Sequence, residues 1–362
     1  MSNVTNTTNN NTSANLTVVI MSNVVTVLVM FGITSSVTMT SLKSTIAFHP
    51  SLFLVGLISQ TIFLPLCSYL LILAFNIQRV HALVLLVLAC CPGGTSSNIF
   101  AYWSGSDVPL SIALTALTNS CAFFTMPLLL YLWGEQALAL PFVVIPYAEI
   151  ALSLGVVLIP AISGLWLKKN YEKCAHRVEK IGGIAGLILI ILAIVVSMVA
   201  NWEEMGKQQL MTWNIYVVII LLAPCGMIFA MVLLCVRNCF CYRYNKLMDE
   251  EQEQDEDEII IIKEEGIAQW TTVCLETGIQ NVPLALSVAS LTVLRSGGSS
   301  ADMLSVGLLA GLWSIVVNLE ALILTLVCRW YHIYRRNKEK CQSKKEKDSQ
   351  EISACRDVNV YL

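Results

Sequence analysis

The chain has 362 residues, of which 56% are hydrophobic and 13% are charged. Soluble globular proteins carry about 25% charged residues, so this composition excludes an ordinary soluble protein. A mean hydropathy of +0.69 indicates a membrane protein instead. The net charge of −3 provides no basic excess for binding nucleic acid.

The first fifteen residues form a polar tail without a charged side chain. Overlapping Asn-X-Ser/Thr sequons predict that this tail enters the secretory lumen and is glycosylated. The expected acceptors are Asn3, Asn6, Asn10 and Asn11, whereas Asn15 directly abuts the first apolar segment and is the weakest acceptor. A disordered tail without sugar is the alternative, because sequons arise by chance in sequence rich in Asn and Thr.

Nine apolar segments follow the tail, each near or above the roughly 20 residues that a helix needs to cross a hydrocarbon core of about 30 Å. They predict an all-α polytopic protein with a transporter domain at residues 16–330 and a tail at 331–362. The predicted spans are 16–39, 52–75, 80–103, 109–133, 142–167, 181–200, 213–236, 267–294 and 303–328.

The distribution of basic residues orients these spans. With the N-terminus outside, 19 of the 22 Lys and Arg residues fall in inner segments, and only Arg79, Lys207 and Arg295 remain outside. Short cytosolic loops are enriched in Lys and Arg, so this orientation is expected. The loop at 249–266, which contains an acidic run, is then cytosolic, and we expect it and the C-terminal tail to be solvated and disordered.

The third span contains the segment CCPGGTSSN at positions 90–98, which does not suit a continuous helix. Pro92 lacks a backbone donor, and Gly93 and Gly94 permit dihedral angles that other residues avoid. Unwinding is therefore expected here. It would make backbone carbonyls and the oxygens of Thr95, Ser97 and Asn98 available as ligands.

The eighth span contains a second such segment, CLETGIQNVP at positions 274–283. It combines the carboxylate of Glu276 with hydroxyl and amide side chains, a glycine and a proline. An ionisable group near the bilayer centre costs a few kcal/mol, which makes Glu276 the leading candidate for a functional residue. Glu320, beside Asn318 in the ninth span, is a weaker candidate.

Two interrupted hydrophobic segments in separate halves of a chain predict a secondary transporter with inverted repeats and a midplane site. Oxygen ligands with a single carboxylate suit Na⁺ better than zinc. The four histidines show no metal-binding spacing and no P-loop occurs, so neither another cofactor, nor ATP-driven transport, nor an enzymatic activity is expected. The alternative for both segments is helix packing through small residues.

At these segments the chain resembles the sodium/bile acid cotransporter family. The residues that carry the resemblance are CCPGGTSSNIF at 90–100, LSIALT at 110–115 and ETGIQN at 276–281. The resemblance implies a core bundle of spans two to four and seven to nine, which moves against a panel of spans one, five and six. The third and eighth spans would unwind and cross at the centre of the core. The chain departs from the family at Ser106-Asp107 and at NSCAFFTMP, residues 119–127.

The resemblance also implies two sodium sites that share one carboxylate. The residues that match the first site are Ser97, Asn98, Ser111, Thr115 and Glu276. Those that match the second site are Gln60, Glu276 and Gln280. The remaining residues of the crossing region, which we expect near the substrate, are Gly93, Gly94, Thr95, Thr277, Gly278 and Asn281.

Together these features predict a symporter of the plasma membrane that couples sodium to bile salts or to related amphipathic organic anions such as steroid sulfates. Its expected partners are the anion, sodium ions and the lipid bilayer. Two alternatives stay open at this point. One is a receptor or scaffold that has the same fold but does not transport, and the other is a related carrier that is not coupled to sodium.

Overall fold

The computed structural model describes residue 24 and residues 27–138, 147–200, 212–248 and 256–360. Every regular element within these ranges is a helix, and the only β-type pairing there is one isolated bridge. The polar tail with its sequons and residues 249–255 of the acidic loop lie outside the described residues.

The helices are numbered here in chain order. They are α1 (Val27–Thr34), α2 (Met39–Phe48), α3 (Pro50–Ala74), α4 (Arg79–Cys90), α5 (Ser96–Ser104), α6 (Val108–Ala137), α7 (Tyr147–Asn170), α8 (Glu172–Ala200), α9 (Trp213–Met248), α10 (Glu256–Gly278), α11 (Val282–Arg295) and α12 (Ser300–Val360).

Five stretches of the described helices are long and apolar enough to cross a membrane, and a sixth joins them if the bent pair α1 and α2 counts as one span. The five stretches are Pro50–Ala74, Val108–Ala137, Ala151–Asn170, Trp213–Cys239 and Ala301–Arg335. They overlap the second, fourth, fifth, seventh and ninth predicted spans. Within the described residues, the prediction of a helical protein with several helices able to cross a membrane is thus confirmed.

The first predicted span, residues 16–39, is wrong at its C-terminal end. α1 stops at Thr34, and α2 leaves at 88° to it. Three consecutive hydroxyl side chains lie at the end of this helix and bond back to it. Thr34, Ser35 and Ser36 donate to the carbonyls of Met30, Phe31 and Ile33 at 2.6, 2.7 and 2.7 Å. Such bonds to preceding carbonyls compete with the helical ladder and bend it.

The predicted acidic loop and C-terminal tail also differ from the expectation of disorder. α10 already begins at Glu256 and therefore includes the end of the acidic run, while α12 continues to Val360. Glu, Lys, Gln and Arg are strong helix formers, and a helix that extends from an existing span needs no new nucleus. High charge alone therefore did not indicate disorder at 256–266 and 331–360.

The largest buried apolar cluster joins α3, α4, α5, α6, α9, α10, α11 and α12. A separate group forms around α1: Met30 packs with Val157 and Ala161 of α7. The backbones of α1 and α8 are in contact, since a Cβ atom on Gly32 of α1 would lie 2.6 Å from the Cα of Gly182 of α8. We refer to the helices of the largest cluster as the large group and to α1, α7 and α8 as the small group. A further apolar cluster joins the two groups, in which Val29 and Ile33 of α1 and Leu165 of α7 pack with Ile99 of α5 and Ile112 of α6.

Candidate functional site

Two helix interruptions meet inside the large group. The first break, residues 91–95, separates α4 from α5, and the second break, residues 279–281, separates α10 from α11. The amide of Gly94 donates to the carbonyl of Ile279 at 2.9 Å, and the amide of Asn281 donates to the carbonyl of Pro92 at 2.9 Å. Each break thereby satisfies backbone groups of the other, which lipid could not do.

Glycine is needed at this crossing because the two breaks approach so closely that they leave no room for a side chain. A Cβ atom on Gly94 would lie 2.5 Å from the carbonyl oxygen of Gln280. A Cβ atom on Gly93 would collide with the Glu276 carboxylate. The two glycines therefore allow the backbone of the first break to contact both the second break and the one acidic side chain of the site.

Glu276 lies in the last turn of α10 and is 1% exposed. Ser97, at the start of α5, donates to its Oε2 at 2.6 Å and also lies 2.7 Å from the carbonyl of Gly94. Glu276 Oε1 has no hydrogen-bond partner within the described part of the chain. Neither of the two ion pairs found there, Lys168–Glu172 and His176–Glu179, provides a cation for this carboxylate.

The other side chains of the first predicted sodium site gather around the same point. Asn98 donates to Thr115 Oγ1 at 3.1 Å, and Thr115 donates to the carbonyl of Ser111 at 2.9 Å. All three side chains are fully buried. Asn98 Oδ1 and Ser111 Oγ find no hydrogen-bond partner in the described ranges, so the structure brings together a set of buried oxygens on α5, α6 and α10.

The second predicted sodium site is contributed by α3 and the second break. Gln60 lies in a π-helical turn of α3, residues 59–63, which packs against α10. It is 2% exposed, and both of its polar atoms lack a hydrogen-bond partner among the described residues. Gln280 donates to the carbonyl of Thr277 at 3.1 Å and leaves its Oε1 without a partner there. π-helical turns of this kind often occur at functional sites.

The remaining residues predicted for the crossing region point in several directions. Thr95 precedes α5, and its carbonyl accepts from Asn98 at 3.4 Å. The Thr277 hydroxyl donates to the carbonyl of Val273 on its own helix at 2.8 Å, and Gly278 packs against Met227 of α9. Asn281 caps α11 and donates to Ser153 of α7 at 2.7 Å, so it contacts the small helix group by a hydrogen bond.

Sequence reasoning missed two residues of α6 at the crossing. Thr118 accepts from the amide of Gly93 at 3.4 Å, and Asn119 donates to its carbonyl at 3.1 Å. Both lie on the helix face that carries Ser111 and Thr115, at i+7 and i+8 from Ser111. Continuing the helical spacing beyond the LSIALT segment would have found them.

Glu320 is not connected to the two breaks by the hydrogen bonds found among the described residues. Its Oε2 is buried without a hydrogen-bond partner in the described ranges, and no hydrogen bond found there joins Glu320 to either break. Its neighbour Asn318 bonds within α12, to Ser314. The structure therefore adds no contact that would place Glu320 in the site.

The chemistry of the crossing follows from its unpaired acceptors. Each buried oxygen without a donor costs about 1–3 kcal/mol, and a buried carboxylate without a counter-charge costs more. Hard oxygen donors of this type prefer hard cations, which would satisfy several acceptors at once. The oxygens in question are Glu276 Oε1, Asn98 Oδ1, Ser111 Oγ, Gln60 Oε1 and Gln280 Oε1.

Broken helices that cross inside a helical membrane domain, around a buried polar cluster, define a secondary transporter. Comparison with known proteins agrees with this class. The chain belongs to the sodium bile acid symporter family, whose family model matches residues 23–208.

Individual relatives extend the comparison beyond that range. The chain is 37% identical over 182 residues to the ileal sodium/bile acid cotransporter of Cricetulus griseus, which covers 49% of this chain and 52% of the relative. It is 26% identical over 349 residues to the human sodium-dependent organic anion transporter, covering 94% of this chain and 83% of the relative. The matched part spans only 41% of the ileal cotransporter of Oryctolagus cuniculus, so about half or less of the length of these ileal relatives is matched.

Proposed function

We propose that the protein is a sodium symporter of the plasma membrane for bile salts or related amphipathic organic anions such as steroid sulfates. The observation that carries the proposal is the buried Glu276 at the crossing, surrounded by unpaired oxygens and without a cationic side chain among the described residues. Bile acids and organic anions come from the names of the relatives, which are sodium/bile acid cotransporters and sodium-dependent organic anion transporters, and steroid sulfates come from the family resemblance of the sequence.

The proposed topology has nine spans, an extracellular N-terminus and a cytosolic C-terminus. Five or six spans are recognised by length and hydropathy alone. Counting α4 with α5 and α10 with α11 as two broken spans, and adding α8, supports a total of nine. The concentration of Lys and Arg in alternate loops supports the orientation.

We assign the large helix group to a moving core and the group α1, α7 and α8 to a panel, in an inverted-repeat arrangement. The close backbone contact of Gly32 with Gly182 supports a panel that moves as one body. Few polar contacts join the two groups among the described residues. The hydrogen bonds found there between the two groups are Asn281–Ser153, Tyr102–Glu179 and Asn98–Met30, at 2.7, 3.3 and 3.5 Å, and so small a number supports a sliding interface.

Sodium coupling follows from the position of Glu276 between the two proposed ion sites. Ser97, Asn98, Ser111 and Thr115 would hold one ion, Gln60 and Gln280 the other, and the carboxylate would contact both. Occupancy of one site then favours occupancy of the other, and both favour the anion-binding state. Each sodium that enters gains about 2.3 kcal/mol per 100 mV of membrane potential, which drives concentrative uptake.

The test is uptake of labelled taurocholate and of a labelled steroid sulfate, in sodium and in choline medium at the same pH. We expect sodium-dependent accumulation of at least one compound. Glu276→Gln should reduce it at least about 100-fold, because removing the charge of a buried ligand costs about 3 kcal/mol or more. Glu320→Gln is the matched control, since it neutralises a second intramembrane carboxylate and should retain uptake.

Three results would contradict the proposal. Equal uptake in both media would indicate a carrier without sodium coupling. Normal sodium-driven uptake by Glu276→Gln would remove the carboxylate from the mechanism. Surface expression without uptake of either compound would favour a receptor or a different substrate.

A further inference from the structure

The fourth span departs from the family pattern at the segment that begins with Asn119, and this departure lies at the crossing. Asn119 is on α6, two turns after Ser111, and is 2% exposed. A polar side chain at such a position needs a physical reason, because burying an amide in a membrane domain costs free energy unless it is bonded.

The hydrogen bonds of Asn119 reach two different elements. Its amide nitrogen donates to the carbonyl of Thr115 on its own helix at 2.8 Å and to the carbonyl of Gly93 in the first break at 3.1 Å. Both neighbours are acceptors only, so they fix the orientation of the amide group: the nitrogen must face them. Asn119 thus uses both of its N–H groups to join α6 to the unwound chain.

These two bonds connect the residues proposed to bind sodium. Gly93 is the residue whose Cα faces the Glu276 carboxylate, and Thr115 accepts the hydrogen bond from Asn98. Asn119 therefore holds the backbone beside the carboxylate at a fixed distance from the α6 face that carries Ser111 and Thr115. A ligand set is effective only if supporting bonds keep its members in place before the ion arrives.

We propose that Asn119 is a positioning residue that sets the affinity for sodium by fixing the first break against α6. The inference rests on the proposed function in that the ion is taken to be sodium. The decisive contact is the bond to Gly93, since the bond to Thr115 is an ordinary one between residues four positions apart on one helix.

Asn318 offers a matched control. Its amide nitrogen likewise donates to the carbonyl four positions earlier, that of Ser314, at 2.7 Å. The Oδ1 atoms of Asn119 and Asn318 are both buried without a hydrogen-bond partner in the described ranges. The hydrogen bonds found for Asn318 stay within α12. Replacing it removes the same chemical group from a membrane helix without touching the break.

The experiment measures sodium binding in two ways on the full chain. The first is thermal unfolding of the purified protein in detergent over a titration of sodium chloride against choline chloride at constant ionic strength, since an ion that binds the folded state raises its stability. The second is the sodium concentration that gives half-maximal uptake of labelled taurocholate or steroid sulfate. Variants Asn119→Leu, Asn119→Thr and Asn318→Leu are compared with the wild type.

We expect Asn119→Leu to raise the half-saturating sodium concentration about tenfold, which corresponds to about 1.4 kcal/mol. Uptake at saturating sodium should stay within about twofold of the wild type. Asn119→Thr keeps a hydroxyl that can donate to the carbonyl of Thr115 but is too short to reach Gly93, so it should show the same shift in sodium affinity. It replaces Asn119→Leu as the test variant if the leucine variant does not fold. Asn318→Leu should leave the sodium titration unchanged.

The outcomes separate this inference from the proposed function. A sodium affinity of Asn119→Thr equal to that of the wild type would overturn the role of the Gly93 bond. The same holds if an Asn119 variant shows only a lower yield or a lower maximal uptake while its sodium titration is not shifted. If sodium stabilises the wild type but neither anion is taken up, the proposed substrate fails while Asn119 is still judged from the unfolding titration. A wild type that sodium does not stabilise would overturn both.

Discussion

Replacing Gly94 with alanine adds one methyl group where the two breaks cross. That methyl carbon would lie 2.5 Å from the carbonyl oxygen of Gln280, 2.9 Å from its carbonyl carbon and 3.3 Å from Cγ2 of Ile279. The first two neighbours are backbone atoms, which cannot rotate away. The second break must therefore move by about 1 Å to restore ordinary contact distances.

The cost of this movement follows from the bonds that it would lengthen. Gly94 donates to Ile279, and Asn281 donates to Pro92, both at 2.9 Å. Overpacking in a rigid core costs about 1–3 kcal/mol, and each buried backbone bond that is lost adds about 1–3 kcal/mol. The substitution therefore destabilises the crossing by about 2–5 kcal/mol. If a conformation that cannot bind sodium is free of this strain, the protein shifts toward it, and sodium binding weakens at least about 30-fold.

The assay is the sodium titration of anion uptake, normalised to the amount of protein at the cell surface, together with thermal unfolding in sodium and in choline. Gly155→Ala is the control: Gly155 lies inside α7, and the nearest atom to an added methyl group, Ile159 Cδ1, is 3.8 Å away. If Gly94→Ala binds sodium and transports like the wild type, the close crossing of the two breaks is not needed for function, and the reasoning fails.

Two other predictions concern the second ion site and the topology. Gln60→Leu should lower the Hill coefficient for sodium in uptake from near two toward one while a sodium-dependent component persists; an unchanged coefficient would remove Gln60 from the coupling. Treatment of the cell-surface protein with peptide N-glycosidase should reduce its apparent mass, and replacing the four acceptor asparagines with glutamine should abolish this shift; a protein of unaltered mobility would contradict an extracellular, glycosylated tail. The four acceptors are Asn3, Asn6, Asn10 and Asn11.

The sequence predicted the positions of the two breaks because the relevant signals are local. Pro92 with its two following glycines, and Glu276 with Gly278, stand out inside otherwise apolar segments. The interruptions of α4–α5 and α10–α11 fall in these segments. A residue that lacks a donor or a Cβ atom changes the backbone wherever it stands, so its effect can be read without knowledge of its neighbours.

Other features depend on partners that are distant in sequence or on competition between local preferences. The pairing of the breaks by Gly94 and Ile279 could be inferred only through the family resemblance. Asn119 was noticed as a departure from the family, but its contact with Gly93 became evident only in three dimensions. The end of α1 at Thr34 was missed because hydropathy does not register three hydroxyl groups that bond back to their own helix.

The pairing of the breaks also has a consequence for how the protein is made. Ser97 and Glu276, which bond to each other across the crossing, are 179 positions apart in the chain. At about 5–20 residues per second, a ribosome needs about 10–40 s to travel that distance, so the first break is inserted long before its partner exists. During this interval its amides and carbonyls need water or a helper protein in the membrane to bond with. We therefore expect biogenesis, as well as the stability of the finished transporter, to limit the yield of variants near Gly93.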